Sequence, residues 1–173
     1  MDTIAADKIQ RFLETLGERC TQPATLFLLG GSALCLLGNP RPTLDIDYVG
    51  DDVNLDDFQQ TIARVAAEMQ VEVEPVSIAQ FVPLPVDALQ RCIFVGQFGA
   101  LTVYVFDPYT IALSKLDRGF DTDIEDIVFL IKRAFVQFER LQAFALAALE
   151  HANEFDLDPQ AVRAHLAVVR EQL

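Results

Sequence analysis

The 173-residue chain contains no tryptophan, two histidines and three cysteines. His151 and His165 have no ligand partner at metal-binding spacing, which leaves them structural or exposed. Cys20, Cys35 and Cys92 are odd in number and lack any C-x-x-C spacing. They read as buried thiols acting as small apolar side chains in a reducing, cytoplasmic setting. Cations are also scarce, with 13 Lys and Arg against 26 Asp and Glu and a formal net charge of −13. A chain that grips nucleic acid through its phosphates presents a basic face, so sequence-independent nucleic-acid binding by this chain alone is excluded. A small triphosphate held through a cation, or a basic protein partner, remains compatible. No apolar run reaches the ~18 uncharged residues of a membrane span, and "MDTIAADKIQRFLETLGERC" lacks the basic and apolar regions of a signal peptide. There is no internal repeat, linker or low-complexity segment.

About half of the residues are apolar, enough for one domain with a sizeable core and a helical appendage. Ile4, Ile9, Phe12, Leu13 and Leu16 recur at helical spacing, with Asp2 or Thr3 as the expected cap. "ATLFLLG" reads as a short buried strand ending at Gly30-Gly31, and "SALCLLG" as a helix opening at Ser32 and stopping at Gly38. After the loop "NPRP", "TLDIDYVG" is a second strand ending in a turn around Gly50-Asp51-Asp52. A helix over 54–70 buries Phe58, Ile62, Val65, Ala66 and Met69. "VEVEPVSI" alternates apolar and acidic residues as a half-exposed strand does, and "RCIFVGQFGALTVYVFD" reads as a hairpin joined at Gly96 to Gly99. Beyond Pro108 the pattern is helical, ending in a helix capped by Asp158 with Pro159 in its first turn. The expectation is an α+β fold: a mixed sheet from residues near 25–29, 43–49, 71–76 and 92–106, flanked by helices. Its sheet domain spans 1–110 and its helical part 111–173.

In a strand, residues i and i+2 share a face, so Asp45 and Asp47 present adjacent carboxylates. These repel each other unless a cation lies between them. Oxygen-only ligands near phosphate suit Mg²⁺ or Mn²⁺. Upstream, Gly30 and Gly31 let backbone approach an anion, the N–H groups of an opening helix attract phosphate, and the Ser32 hydroxyl offers one more donor. A P-loop fits less well, because no GK[ST] follows the glycines, and the three-glycine dinucleotide fingerprint is absent. Taken singly, each feature has a plainer reading. Gly30-Gly31-Ser32 could be an ordinary strand-to-helix turn, and Asp45 and Asp47 a solvent-facing edge. Arg41 could pair with a nearby aspartate instead of a phosphate. Lys115 could be a solvated helix residue, and Asp123 and Asp126 could serve a helix N-terminus. The joint spacing favours a nucleotide site.

A strand ending in "LGGSALCLL", a gap containing Arg41 and Thr43, then "DID", resembles the signature of the DNA polymerase beta-type nucleotidyltransferase superfamily. "DPYTIALSKLDRGFDTDIEDIVFLI" resembles the downstream block of its AbiEii-like toxin branch, so that the likeness covers about residues 24–135. The resemblance implies that Gly30, Gly31 and Ser32 hold a nucleoside triphosphate and that Asp45 and Asp47 ligate metal. It further implies that Lys115 contacts phosphate, and that Asp126 or Asp123 assists substrate activation or anchors that lysine. Such an enzyme would transfer a nucleoside monophosphate to a hydroxyl of RNA or protein, and the likeness to the toxin branch implies a toxin–antitoxin pair. Active members supply a third carboxylate from a later strand. Here "ALTVYVFD" carries Thr102 and Tyr104 at its centre and Asp107 at its end, while Glu72 and Glu74 lie on an earlier strand. Asp107 or Glu74 are the candidates. The alternative reading is a degenerate member that binds nucleotide or a partner without transfer.

Overall fold

Short apolar runs bounded by turn residues become five strands in the structure, a computed structural model that describes residues 3–50 and 57–173. They are β1 (Ala24–Leu28), β2 (Asp45–Val49), β3 (Glu72–Val76), β4 (Ile93–Phe98) and β5 (Leu101–Val105). Their order in one mixed sheet is β3-β2-β1-β5-β4. β1 runs antiparallel to β2 and parallel to β5, β2 is parallel to β3, and β4 and β5 form an antiparallel hairpin. The fold is therefore α+β, as the sequence pattern indicates. The chain divides into two compact units, one formed by Met1–Ser77 with Cys92–Phe106, the other by Ile78–Arg91 with Asp107–Leu173.

In the first unit, alternation sorts the side chains of the sheet. Leu26, Leu28, Ile46, Tyr48, Leu101, Val103 and Val105 are buried, and the register puts them on one face. The helices α1 (Ala6–Arg19), α2 (Gly30–Leu36) and α3 (Asp57–Met69) belong to this unit. α1 buries Ile9, Phe12, Leu13 and Leu16, while α3 buries Ile62, Val65 and Ala66. Ile4 does not head the α1 stripe. It forms a two-way backbone bridge with Thr43, which fixes the approach to β2. α1 starts later than the pattern suggests, with Ala5 at its N-cap and no side-chain cap; Asp2 lies outside the described residues. So do Asp51 and Asp52 of the expected turn and residues 54–56 of the expected third helix. The hairpin turns at Gly99, whose φ is +57°. Gly96 instead sits inside β4, where the pairing shifts register between Phe94 and Gly96.

The second unit is helical: α4 (Pro108–Arg118), α5 (Asp121–Lys132), α6 (Phe138–Leu149), α7 (Ala152–Phe155) and α8 (Pro159–Glu171), with 3₁₀ turns at Ile78–Gln80 and Ala88–Arg91. α4 is almost wholly buried and packs against α5, α6 and α8. Its ends are set locally. Asp107 caps it, Pro108 starts it, and Gly119 ends it in the left-handed region at φ +64°. A Cβ on Gly119 would overlap the His165 ring, and that ring bonds the Leu116 carbonyl through Nδ1 at 2.6 Å. Asp158 caps α8, accepting from Gln160 N and Ala161 N at 2.9 and 3.2 Å. Among the described residues, no helix is long and apolar enough to cross a membrane.

Candidate active site

Ile46 and Tyr48 anchor β2 in the core, which leaves Asp45 and Asp47 half-exposed on the opposite face. β3 runs parallel beside them in a register that pairs Asp45 with Glu72 and Asp47 with Glu74. One carboxylate oxygen from each of Asp45, Asp47 and Glu74 lies within 4.8 Å of the others. Hard divalent ions bond oxygen at about 2.0–2.6 Å, so oxygens this close can share one ion. The donor set is all carboxylate, which suits Mg²⁺ or Mn²⁺ and disfavours soft metals. Three acidic groups at this separation repel one another, and a cation would remove that repulsion.

Beside the cluster, β1 runs into α2 through Leu29 and Gly30. Leu29 N–H donates to the Asp47 carbonyl at 2.9 Å. Gly30 has φ +56°, and a Cβ there would overlap the Asp47 carboxylate. A Cβ on Gly31 would lie 2.6 Å from Thr43 Oγ1, and that hydroxyl is 3.5 Å from Asp45 Oδ1. Gly30 thus lets the turn close down on the Asp47 carboxylate, and Gly31 lets it close on Thr43 beside Asp45. The first N–H groups of α2, on Gly30, Gly31 and Ser32, have no acceptor within the helix. Ser32 departs from its expected part. It is fully buried, its hydroxyl donates to the Leu29 carbonyl at 2.9 Å, and it lies 3.4 Å from the Asp47 carbonyl. It ties the turn to β2. Arg41 is in an exposed loop, its N–H bonded to Asn39 Oδ1 at 3.0 Å and its carbonyl accepting from Cys35 Sγ at 3.1 Å.

The remaining candidates belong to the helical unit and have partners there. Lys115 is 5 % exposed, with Nζ 3.2 Å from Asp123 Oδ1 and 2.8 Å from Asp126 Oδ2. Arg118 clasps Asp123 from the side, at 2.6 and 3.2 Å. Burial pushes the Asp123 carboxyl up, but the Arg118 hydrogen bonds and the Lys115 charge outweigh it and hold it below the usual carboxylate range. Of the two parts offered to Asp123 and Asp126, this geometry is that of an anchor. Asp107 is fully buried and takes four donors: Arg91 Nε and Nη2 at 2.8 and 2.6 Å, Thr110 Oγ1 at 2.7 Å and Tyr109 N at 3.2 Å. That carboxylate is a helix cap and arginine partner, filled without a metal. Arg91 is pushed up from its ordinary value, chiefly by the Asp107 hydrogen bond.

Sequence periodicity shows Glu72 and Glu74 on one face of their strand. It does not show that the strand lies alongside Asp45 and Asp47, because parallel register is a long-range property. No local pattern marks Arg91 as the partner of Asp107.

Over residues 7–165 the chain matches the family described as "Nucleotidyltransferase of unknown function (DUF6036)". Among solved structures, it is similar to an antigenic nucleotidyltransferase-like protein from Paracoccidioides brasiliensis. The identity is 19 %, the TM-score 0.49, and the match covers 96 % of this chain and 95 % of that one. No curated protein sequence matches.

Proposed function

The chain belongs to the nucleotidyltransferases of unknown function grouped as DUF6036, and on that premise we propose that it transfers a nucleoside monophosphate from a nucleoside triphosphate to an acceptor hydroxyl with Mg²⁺ or Mn²⁺, the hydroxyl oxygen bonding the α-phosphorus as the bond to the β-phosphate breaks and pyrophosphate leaves. The observation that carries the reading is the meeting of Asp45, Asp47 and Glu74 beside a turn in which Gly30 closes on the Asp47 carboxylate and Gly31 on Thr43. Asp45, Asp47 and Glu74 hold the ion. Bound there, a divalent ion neutralises phosphate charge and lowers the pKa of an attacking hydroxyl. The N–H groups of Gly30 and Gly31 face the polyphosphate, and Ser32 holds their turn against β2. Lys115 keeps the helical unit together through Asp123 and Asp126. The acceptor is a hydroxyl of RNA or protein, and the excess of acidic residues suits a basic protein partner better than a long RNA. The reading from another class, a module that binds nucleotide without transfer, rests on the absence of a third carboxylate from β5. Glu74 supplies a candidate for it.

Incubation with each α-labelled nucleoside triphosphate, Mg²⁺ or Mn²⁺, and a cell extract tests the proposal. The expected result is metal-dependent labelling of one acceptor class, lost in Asp47→Asn and Glu74→Gln. No labelling with any nucleotide, together with no metal-dependent nucleotide binding by calorimetry, overturns it.

A further inference from the structure

The face of the sheet that carries the carboxylates does not end at β2. β1 pairs Leu28 with Tyr48 in antiparallel register, which sets Phe27 opposite Val49 and on the side of Asp45 and Asp47. Parallel pairing then places Tyr104 beside Phe27 and Thr102 beside Thr25. The β4 register shift brings Phe94 opposite Tyr104 and Gln97 opposite Thr102. The ring centroids of Phe27 and Tyr104 lie 5.5 Å apart in a stacked arrangement, and those of Phe94 and Tyr104 lie 5.6 Å apart edge to face. Buried Phe106 braces Phe27 from its edge at 6.0 Å. Phe94 is nonetheless 59 % exposed, and Phe27 and Tyr104 are half-buried. Three aromatic side chains are thus aligned across neighbouring strands without being withdrawn from solvent.

Resting on the nucleotidyltransferase reading, we propose that Phe27, Tyr104 and Phe94 form a stacking platform for the base of the donor nucleotide. Strands lie about 4.8 Å apart, so β1 and β5 are roughly 5 and 10 Å from the strand that carries Asp47, within the span of one nucleoside whose phosphates sit at the carboxylates. Open sheet faces with aromatics on adjacent strands stack bases in other nucleotide-binding folds. Thr25, Thr102 and Gln97 border the rings and offer hydrogen-bonding groups to a base edge. Thr102 Oγ1 and Gln97 Oε1 are already bonded at 2.7 Å, which orients the amide. The charge pattern selects a mononucleotide over an RNA strand. A strand requires a cationic groove along its backbone, whereas these six face positions carry no cation and their neighbours on β2 and β3 are acidic.

Calorimetry on the whole chain with Mg²⁺ separates the platform from the metal site. The probes are the four nucleoside triphosphates, inorganic tripolyphosphate, the free nucleosides and a short single-stranded oligonucleotide; the variants are Phe94→Ala and Tyr104→Leu. Loss of one stacking partner weakens base binding by about tenfold, ~1.4 kcal/mol. We expect that loss for a nucleoside triphosphate and no change for tripolyphosphate. Unchanged triphosphate affinity in both variants overturns the platform and leaves the metal reading standing. So does an equal loss for triphosphate and tripolyphosphate, since the base then contributes nothing. A loss confined to the oligonucleotide overturns the assignment to the donor, because the rings then serve the acceptor. If the parent protein binds neither triphosphate nor tripolyphosphate, the metal reading fails, and the nucleosides decide the platform. Their shifting of the Phe27 and Tyr104 ring resonances supports it, and silent rings overturn it.

Discussion

Gly30 is confined to glycine for two independent reasons, its left-handed backbone and the Asp47 carboxylate where a Cβ would lie. Gly30→Ala should therefore cost about 1–3 kcal/mol in denaturant unfolding and weaken metal-dependent nucleotide binding as the turn moves off β2. An unshifted midpoint would show that the turn tolerates a side chain. At Lys115 the argument concerns charge. Lys115→Ala leaves two carboxylates buried at 1–2 % exposure without the lysine charge that both face, while Arg118 still pairs with Asp123. Removing one partner of a buried pair costs about 3–5 kcal/mol, so this variant should fail by stability before any loss of turnover can be read. The companion Lys115→Met, Asp126→Leu double variant removes charge from both sides and should recover most of that loss. Equal instability of the single and double variants would refute the pairing account.

At the scale of elements, helix ends follow local chemistry. Asp158→Ala removes the acceptor for two N–H groups of α8 and should cost about 1 kcal/mol, seen as a lowered melting temperature with unchanged nucleotide binding. A larger effect would mean that Asp158 has a further task. The same locality explains what could be read from the sequence. The cap at Asp158, the stop at Gly119 and the i, i+2 pairing of Asp45 with Asp47 are set by residues within a few positions. The strand alternation of "VEVEPV" is local as well. Strand neighbours are not. That Glu74 comes close to Asp45 and Asp47 depends on β3 pairing in parallel with β2 across the whole of α3, and nothing in "EVEPV" encodes a partner. The pattern spreads the hairpin joint over Gly96 to Gly99 for a related reason. Gly96 and Gly99 both permit a turn, and only pairing with β5 chooses between them. Ile4 fits the periodicity of α1, but its backbone bond to Thr43 gives it a tertiary place that no pattern announces.

Over the whole molecule, two buried or part-buried aspartates pull the acid response in opposite directions. Asp123 is held below its ordinary range, so its contribution to stability is present above the unfolded carboxyl value of about 4. That contribution is lost as pH falls through the lowered folded value. Asp117 is pushed up, first by burial and then by the nearby Asp156 and Asp158 charges. Stability there declines as pH rises from about 4 through the raised folded value. Asp117→Asn should then raise the melting temperature at pH 7, with the gain vanishing below pH ~4, while Asp123→Asn lowers it at pH 7. Melting curves across pH that run parallel for parent and both variants would contradict the assignment. The sheet order also has a consequence in time. Ala24 and Leu28 of β1 pair with Leu101 and Val105 of β5, so a growing chain exposes Leu26 and Leu28 long before their neighbour exists. At about 5–20 residues per second of synthesis, that wait lasts roughly 4–15 s, with an apolar strand edge open to other chains. Slow closure of so distant a pairing makes the newborn chain, more than the finished fold, the stage most open to aggregation.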